Sequence, residues 1–187
     1  MRLGLFALLA ALVATPAAAD TFSLEYQGAA LAIIPLGSIT VDATIEDNSY
    51  DIQTHMASGG LLNIFEHMNI AASASGAIEG DRVIWRRYDL DHHYSRKHRT
   101  VAMNVAADGA VVAQINPTYR VWGTPPASDQ QRRGARDPLS SMVAMAIDVG
   151  EHQRCQGSYP TFDGRFYYRL ELSGGARGHF DSAGNRL

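Results

Sequence analysis

Between Asp137 and Gly150 the chain carries the only stretch after its N-terminus that reads without ambiguity as a helix. Asp137 can cap the first turn by accepting from a backbone N–H that otherwise has no partner. Pro138 suits the first helical position, where its fixed φ helps and its missing N–H costs nothing. Gly150 can take the left-handed conformation that ends such a segment. Leu139, Met142, Val143, Ala146 and Ile147 recur at helical spacing on one face. The other face, with Ala144 and Met145 among Ser140, Ser141 and Asp148, is also poor in charge. A helix of this kind needs cover from more than one side, so the remainder of the chain must wrap it.

That remainder repeats with a period of two. Thr21 to Gln27 sets Phe22, Leu24 and Tyr26 against Ser23, Glu25 and Gln27, as in a half-buried strand. Ala29 to Leu36 is apolar but interrupted by Pro35, which fits an edge or bulged strand. Ser38 to Glu46 alternates again through Ile39, Val41, Ala43 and Ile45. Past the Asp47-Asn48 turn, Tyr50, Ile52, Thr54 and Met56 share one face of the next strand. Leu61 to Met68 has the spacing of a short helix, with a strand from Ile64 onward as the alternative, while Ile70 to Ile78, small and weakly patterned, reads as a strand with close neighbours. Arg82 to Leu90, anchored by Trp85, and Tyr94 to Val105 are further strands. Asp108-Gly109 then turns the chain into a return strand from Ala110 to Ile115.

Pro117 to Arg136 is rich in Pro, Gly and polar residues and reads as a long connection, of a length often found in lids. Beyond the helix, Gln153 to Phe162 and Arg165 to Leu172 flank a tight turn at Asp163-Gly164. In the second of these strands Phe166, Tyr168, Leu170 and Leu172 should face inward. The tail from Ser173 has no pattern. The expected fold is therefore mainly β: a curved antiparallel meander sheet, half-barrel or barrel-like, packed around one principal helix.

Residues 1 to 19 read as an export signal. Arg2 precedes an apolar run from Leu3 to Val13, and Ala17-Ala18-Ala19 offers the small residues of a cleavage site. That run is about eleven residues, short of the roughly 20 that span a bilayer, and no later segment is apolar enough to do so. No Cys stands at the cleavage point, which argues against a lipid anchor. The expected mature chain, from Asp20, keeps roughly 168 residues, enough for a single β-rich domain with a real core. Its expected address is the periplasm. The net charge of −3 is mild and argues against nucleic acid as a partner. The basic clusters at Arg86-Arg87, Arg96 to Arg99 and Arg132 to Arg136 have acidic neighbours and read as solvated faces. A single Cys, Cys155, excludes a structural disulfide within residues 20 to 187 and a thiolate metal cluster; it is buried, paired with another chain, or separated from its partner.

Three clusters bear on chemistry. Asp89-Leu-Asp-His-His-Tyr-Ser-Arg-Lys-His98 offers carboxylates and imidazoles, both metal ligands. On a strand Asp89, Asp91 and His93 share one face, but Asp89 and His93 lie roughly 13 Å apart, too far to close on one ion without a bend. The segment therefore reads as an exposed polar strand end, with no metal site assigned. Ser140 and Ser141 lack a Gly-x-Ser-x-Gly elbow or a partnered base, and serines in a first turn read as caps or surface residues. No catalytic residue is assigned. The aromatic residues Tyr119, Trp122, Phe162, Phe166, Tyr167 and Tyr168 are core residues or the lining of a cavity.

Arg136-Asp-Pro-Leu-Ser-Ser141, the Cys-x-Gly of 155–157 and the Phe-Asp-Gly-Arg-Phe-Tyr-Tyr run of 162–168 occur in that order, after a Tyr-x-Gly at Tyr26 and Gly28. Together these resemble the exported bacterial proteins grouped as domain-of-unknown-function family 3108. The resemblance implies an envelope location and an antiparallel β-rich domain, and carries no catalytic residue. It also implies a further strand with a second Cys beyond Leu187, which would give Cys155 its partner and leave this chain short of its last strand.

The function expected from these features is non-enzymatic binding of a lipid or other apolar envelope ligand, without a cofactor. Met56, Trp85, Trp122, Met142 and Tyr168 are the candidate cavity residues, and Met68 and Met145 add adaptable side chains. Asp137, Pro138, Leu139, Ser140, Asp163 and Gly164 are assigned a structural role. The alternative is an envelope protein–protein interaction module with a filled core, working through its loops and an exposed sheet edge. A hydrolase is the least supported reading, since no acid–base pair stands out.

Overall fold

The computed structural model describes residues 19–30, 34–60, 62–174, 181–182 and 185–186, so nearly all of the expected leader lies outside it. Seven strands, β1 (Asp20–Ala30), β2 (Ile34–Ile45), β3 (Ser49–Ser58), β4 (Met68–Glu79), β5 (Arg82–Tyr94), β6 (Lys97–Val105) and β7 (Val111–Asn116), follow one another in space as in sequence. Every adjacent pair is antiparallel. The sheet is an open meander with β1 and β7 at its edges, so the barrel-like closure expected from the sequence is not reached.

The alternation of side chains turns register into a core. Phe22, Ala43, Ile52, Ala74, Tyr88, Met103 and Ala113 stand opposite one another across all seven strands. A slip of one residue in any strand would send its apolar set to the other face. Two extensions refine the sequence reading. The apolar stretch around Pro35 and the alternating stretch after Ser38 are one strand, β2, and the register passes over Leu36 opposite Gly28/Ala29, so the bulge expected near Pro35 lies on β2. β5 continues through the Asp-His-His run to Tyr94, and Ser95, at φ 51, turns the chain directly into β6.

The short α1 (Leu62–Phe65) falls where helical spacing predicted one. The long connection after β7 holds α2 (Asp129–Arg133), closed by a reciprocal pair of bonds between Ser128 and Gln131. Read only for its prolines and glycines, that connection showed no helix. The principal helix, α3 (Pro138–His152), starts on Asp137 as its sequence requires. It ends on Gln153 in the left-handed conformation, while Gly150 remains inside it. The buried side is Leu139, Ser140, Ser141, Val143 and Ala144, whereas Met142 and Ala146 face solvent. The expected face is thus rotated, because the two serines find buried partners and Met142 does not.

After α3 the chain forms the hairpin β8 (Gly157–Phe162) and β9 (Tyr167–Leu172). Arg136 N–H donates to Pro160 O at 3.0 Å and Phe162 N–H to Arg136 O at 2.8 Å, lashing β8 to the entry of α3. Asp163 accepts the N–H groups of Arg165 and Phe166 at 2.8 and 2.7 Å, closing the turn. Gly164, at φ +91, lies so close to β6 that a Cβ there would sit 2.8 Å from Val101 Cγ1. The hairpin turn and α3 together form the second layer over the sheet. Phe166 is exposed, not inward as expected, because it belongs to the turn and β9 begins at Tyr167. Tyr168 is half-buried, and Leu170 and Leu172 join the core margin. Beyond β9, β10 (Asp181–Ser182) and β11 (Asn185–Arg186) pair with each other. Cys155 is exposed just before β8, which removes the buried alternative for that thiol.

Gly76 marks the register shift between β4 and β5, and its missing side chain is what lets Tyr50 and β5 approach. A Cβ there would meet Ile84 O at 2.3 Å and Tyr50 Cε1 at 2.8 Å. Gly76→Ala should therefore destabilise the fold by about 1–3 kcal/mol, as overpacking of a closed core does, seen as a lower midpoint in urea unfolding.

Candidate functional site

Helix α3 meets the sheet through a chain of hydrogen bonds with no exposed member. Asp137 accepts the N–H groups of Leu139 and Ser140 at 3.0 and 2.9 Å, which is the cap. Its second oxygen accepts from Ser140 Oγ, and Ser140 Oγ lies 2.6 Å from the Tyr50 hydroxyl on β3. Ser141 Oγ reaches Thr161 Oγ1 on β8 at 2.9 Å, and Trp85 Nε1 donates to Ala135 O at 2.9 Å. Asp137, Ser140, Ser141 and Thr161 are fully buried. The serine hydroxyls are thereby spent on fastening the helix, and no substrate can reach them. This corrects the reading of both as caps or surface residues: the cap is Asp137, and neither serine reaches the surface.

Burial pushes the Asp137 carboxyl up from 3.8 to about 6, against the pull of its hydrogen bonds from Ser140 and Leu139. Burial likewise raises Tyr50, with the Ser140 hydrogen bond opposing it. The folded chain holds the Asp137 proton more tightly than the unfolded chain does. Its contribution is fully present below the ordinary carboxyl value and is lost as pH rises through about 6. Asp137→Asn keeps an acceptor for the helix N–H groups and never ionises. Melting curves of the two proteins should diverge between pH 4 and 7, with the wild type losing up to about 3 kcal/mol relative to the variant.

The five candidate cavity residues do not converge. Trp85 is in the core and Tyr168 is half-buried on β9. Met142 projects from the outward side of α3 and is 46% exposed. Trp122 stands in the connection after β7, edge-on to Tyr119. That connection is tied down: the guanidinium groups of Arg99 and Arg165 both lie over the Tyr119 ring, 4.1 and 4.8 Å from its centre. Arg165 also donates to Val121 O at 2.9 Å.

Met56 belongs to a different feature. α3 and the β8–β9 hairpin pack on one part of the inner face, and α3 lies over β4 and β5. Beyond them the apolar rows continue: Leu24 and Tyr26 on β1, Ile39 on β2, Met56 on β3, Ile70 on β4 and Tyr94 on β5. Leu24 is 40% and Tyr26 49% exposed, Tyr94 is exposed, and the other three are half-buried. His92 stands in this strip opposite Ile70, and burial, with Arg99 and His93 nearby, holds its imidazole below the ordinary range. The six apolar residues carry no charge, Lys97 and Arg99 on β6 border them beside Tyr94 and His92, and the strip can take up apolar surface.

The outer face is polar. An open groove of about 470 Å³ crosses it, lined among others by Asp42, Gln53, His55, Ser73, Asp89 and Asp91. Asp89 is engaged by Arg87, whose Nε and Nη2 donate at 2.5 and 3.0 Å. Asp91 instead lies 3.0 Å from His93 Nε2 and 2.9 Å from His98 Nε2. The sequence placed Asp91 and His93 on one face, and the structure agrees. It missed His98, which the two-residue turn at Ser95-Arg96 sets directly opposite His93. Among the described residues no nucleophile, base and oxyanion donors converge on an accessible point, and no helix is long and apolar enough to cross a membrane.

No curated protein and no solved structure matches this chain significantly. Residues 21–176, which contain the cap of α3, the Asp163-Gly164 turn and both faces of the sheet, match the family described as Protein of unknown function (DUF3108), and the chain belongs to that family.

Proposed function

We propose that this is an exported cell-envelope protein that works in the periplasm by binding a lipid or other apolar molecule, without catalysing a reaction. The observation that carries the reading is the uncovered strip of Leu24, Tyr26, Ile39, Met56, Ile70 and Tyr94 on the inner face of the sheet. A folded chain with this much polar sequence has no structural need to leave a contiguous apolar row half-exposed across five strands, and such rows mark binding surfaces. The methionine in its middle adapts to varied apolar shapes. Export is supported by Arg2, the Leu3 to Val13 run and the three alanines before Asp20.

A second reading, protein–protein interaction, has its own support in β1. This strand is a sheet edge of 11 residues, and Phe22, Leu24 and Tyr26 on it are exposed. An unprotected edge of that length suits the addition of a strand from a partner.

Native mass spectrometry of the protein recovered from the periplasm distinguishes the two. Ligand binding requires an added mass that organic extraction removes. Leu24→Glu and Ile70→Glu should reduce its occupancy at least tenfold, since a carboxylate cannot be left in an apolar contact. A ligand-free mass, with no uptake of fatty acid or phospholipid by the purified protein, sinks the carrier and leaves the edge strand as the working surface.

A further inference from the structure

We propose that Asp91, His93 and His98 form a binding site for a divalent transition-metal ion of the Zn²⁺ class on the outer face of the sheet. The three donors come from two adjacent strands. Asp91 and His93, two apart on β5, point the same way, and His98 on β6 is the register partner of His93. The two imidazole rings stack at 3.8 Å with 14° between their planes, and both turn their Nε2 atoms towards Asp91. Each meets the same carboxylate oxygen, Asp91 Oδ1, at 3.0 and 2.9 Å, and all three ligand atoms lie within 4.8 Å of one another.

These spacings suit a metal ion. Bonds of about 2.0–2.1 Å to nitrogen and oxygen in a tetrahedral centre put neighbouring donors roughly 3.3 Å apart. Asp91 Oδ1 lies within a few tenths of an ångström of that spacing from each Nε2, and the two exposed imidazoles turn about their side-chain bonds to aim both lone pairs at one point. Without the ion, His98 Nε2 and the Asp91 carboxylate share a hydrogen bond. An imidazole with its proton on Nδ1 presents a lone pair at Nε2, so binding exchanges that hydrogen bond for bonds from both imidazoles and the carboxylate to the ion.

The donor set selects the ion. Two imidazoles and one carboxylate suit Zn²⁺ and its neighbours, whereas Ca²⁺ takes 6–8 oxygen ligands and Mg²⁺ prefers oxygen and water. Asp89, the other carboxylate of the segment, is held by Arg87 and remains outside the cluster. Three protein ligands leave a coordination position open. Beside Asp91 and His93 lies an open recess bordered by His67, Asn69 and Ser95, which gives a water or a small anionic ligand room to complete the centre. The side chains of Asp91, His93 and His98 are each about half exposed, so an ion reaches them without any opening of the fold.

The test is calorimetric titration of the untagged, chelator-treated full chain with Zn²⁺. We expect one saturable site per chain. His93→Ala and His98→Ala should each weaken it by at least the 10–100-fold that loss of a mere supporting partner costs at metal sites. His152→Ala, which removes the imidazole beside Asp148 on α3, should leave it unchanged. Asp91→Asn, which keeps the shape but removes the charge, should also weaken it, and the metal-free melting curves identify any variant that fails to fold. His98→Gln replaces His98→Ala if the latter does. Titration of the wild type with Co²⁺ should give the intense visible absorption of a low-coordinate centre. Absence of saturable Zn²⁺ binding, or binding that survives loss of His93 and His98, or binding lost equally with His152, overturns the proposal and leaves Asp91 as a cross-strand hydrogen-bond acceptor only.

Discussion

The hydrogen-bond chain from Tyr50 through Ser140 to Asp137 is the constraint from which the second layer follows. A helix laid on a sheet by apolar contact alone can slide, because the hydrophobic effect is non-directional. Three buried polar groups that must all find partners cannot slide, since an orphaned one costs about 1–3 kcal/mol. The same carboxylate that starts α3 therefore also sets where α3 sits on β3. The neighbouring bonds from Trp85 to Ala135 and from Ser141 to Thr161 repeat the device on β5 and β8. Helix, sheet and hairpin are each positioned by polar contacts inside an otherwise apolar core.

This arrangement also explains which parts of the structure were legible beforehand. The start of α3 was readable because Asp137 and Pro138 act through local backbone chemistry, independent of what surrounds them. Its end was not, because Gln153 adopts a conformation that glycine usually supplies, and the Gly150 that advertises an end lies inside the helix. Its buried face was misjudged for a tertiary reason. Nothing in Ser140 or Ser141 announces a Tyr hydroxyl ninety residues away or a Thr hydroxyl twenty residues on. The strands were recovered almost throughout, since a period of two survives any packing partner. Gaps arose where polar residues continued a strand, as from Asp91 to Tyr94, or where a capped helix was set among prolines and glycines, as at Ser128 to Arg133.

The candidate sites divide in the same way. Asp91 and His93 were visible as neighbours on one strand face, but their third partner depends on where β6 begins, which is a property of the turn. The uncovered strip was visible only as the amphipathic pattern of each strand. That α3 would cover one part of the inner face and leave another bare follows from its anchoring to Tyr50 and, through Ala135, to Trp85, which no local pattern contains. One face of this sheet is thus specialised for apolar surface and the other for polar and ionisable groups, with the strand alternation keeping the two chemistries apart.

The meander order has a consequence for how the protein is made. Because each strand pairs with the one synthesised just before it, the whole sheet can assemble from near-neighbour contacts, without waiting for a distant segment. Its cover is different: α3 and the β8–β9 hairpin come from residues 138–172, after the last strand of the sheet is complete. A sheet formed without those residues would present its entire inner face, Tyr50, Trp85 and Tyr88 included, to its surroundings. Covering that face falls to the last third of the chain, and Asp137, which starts the cover, is therefore also the residue with which the inner face begins to close.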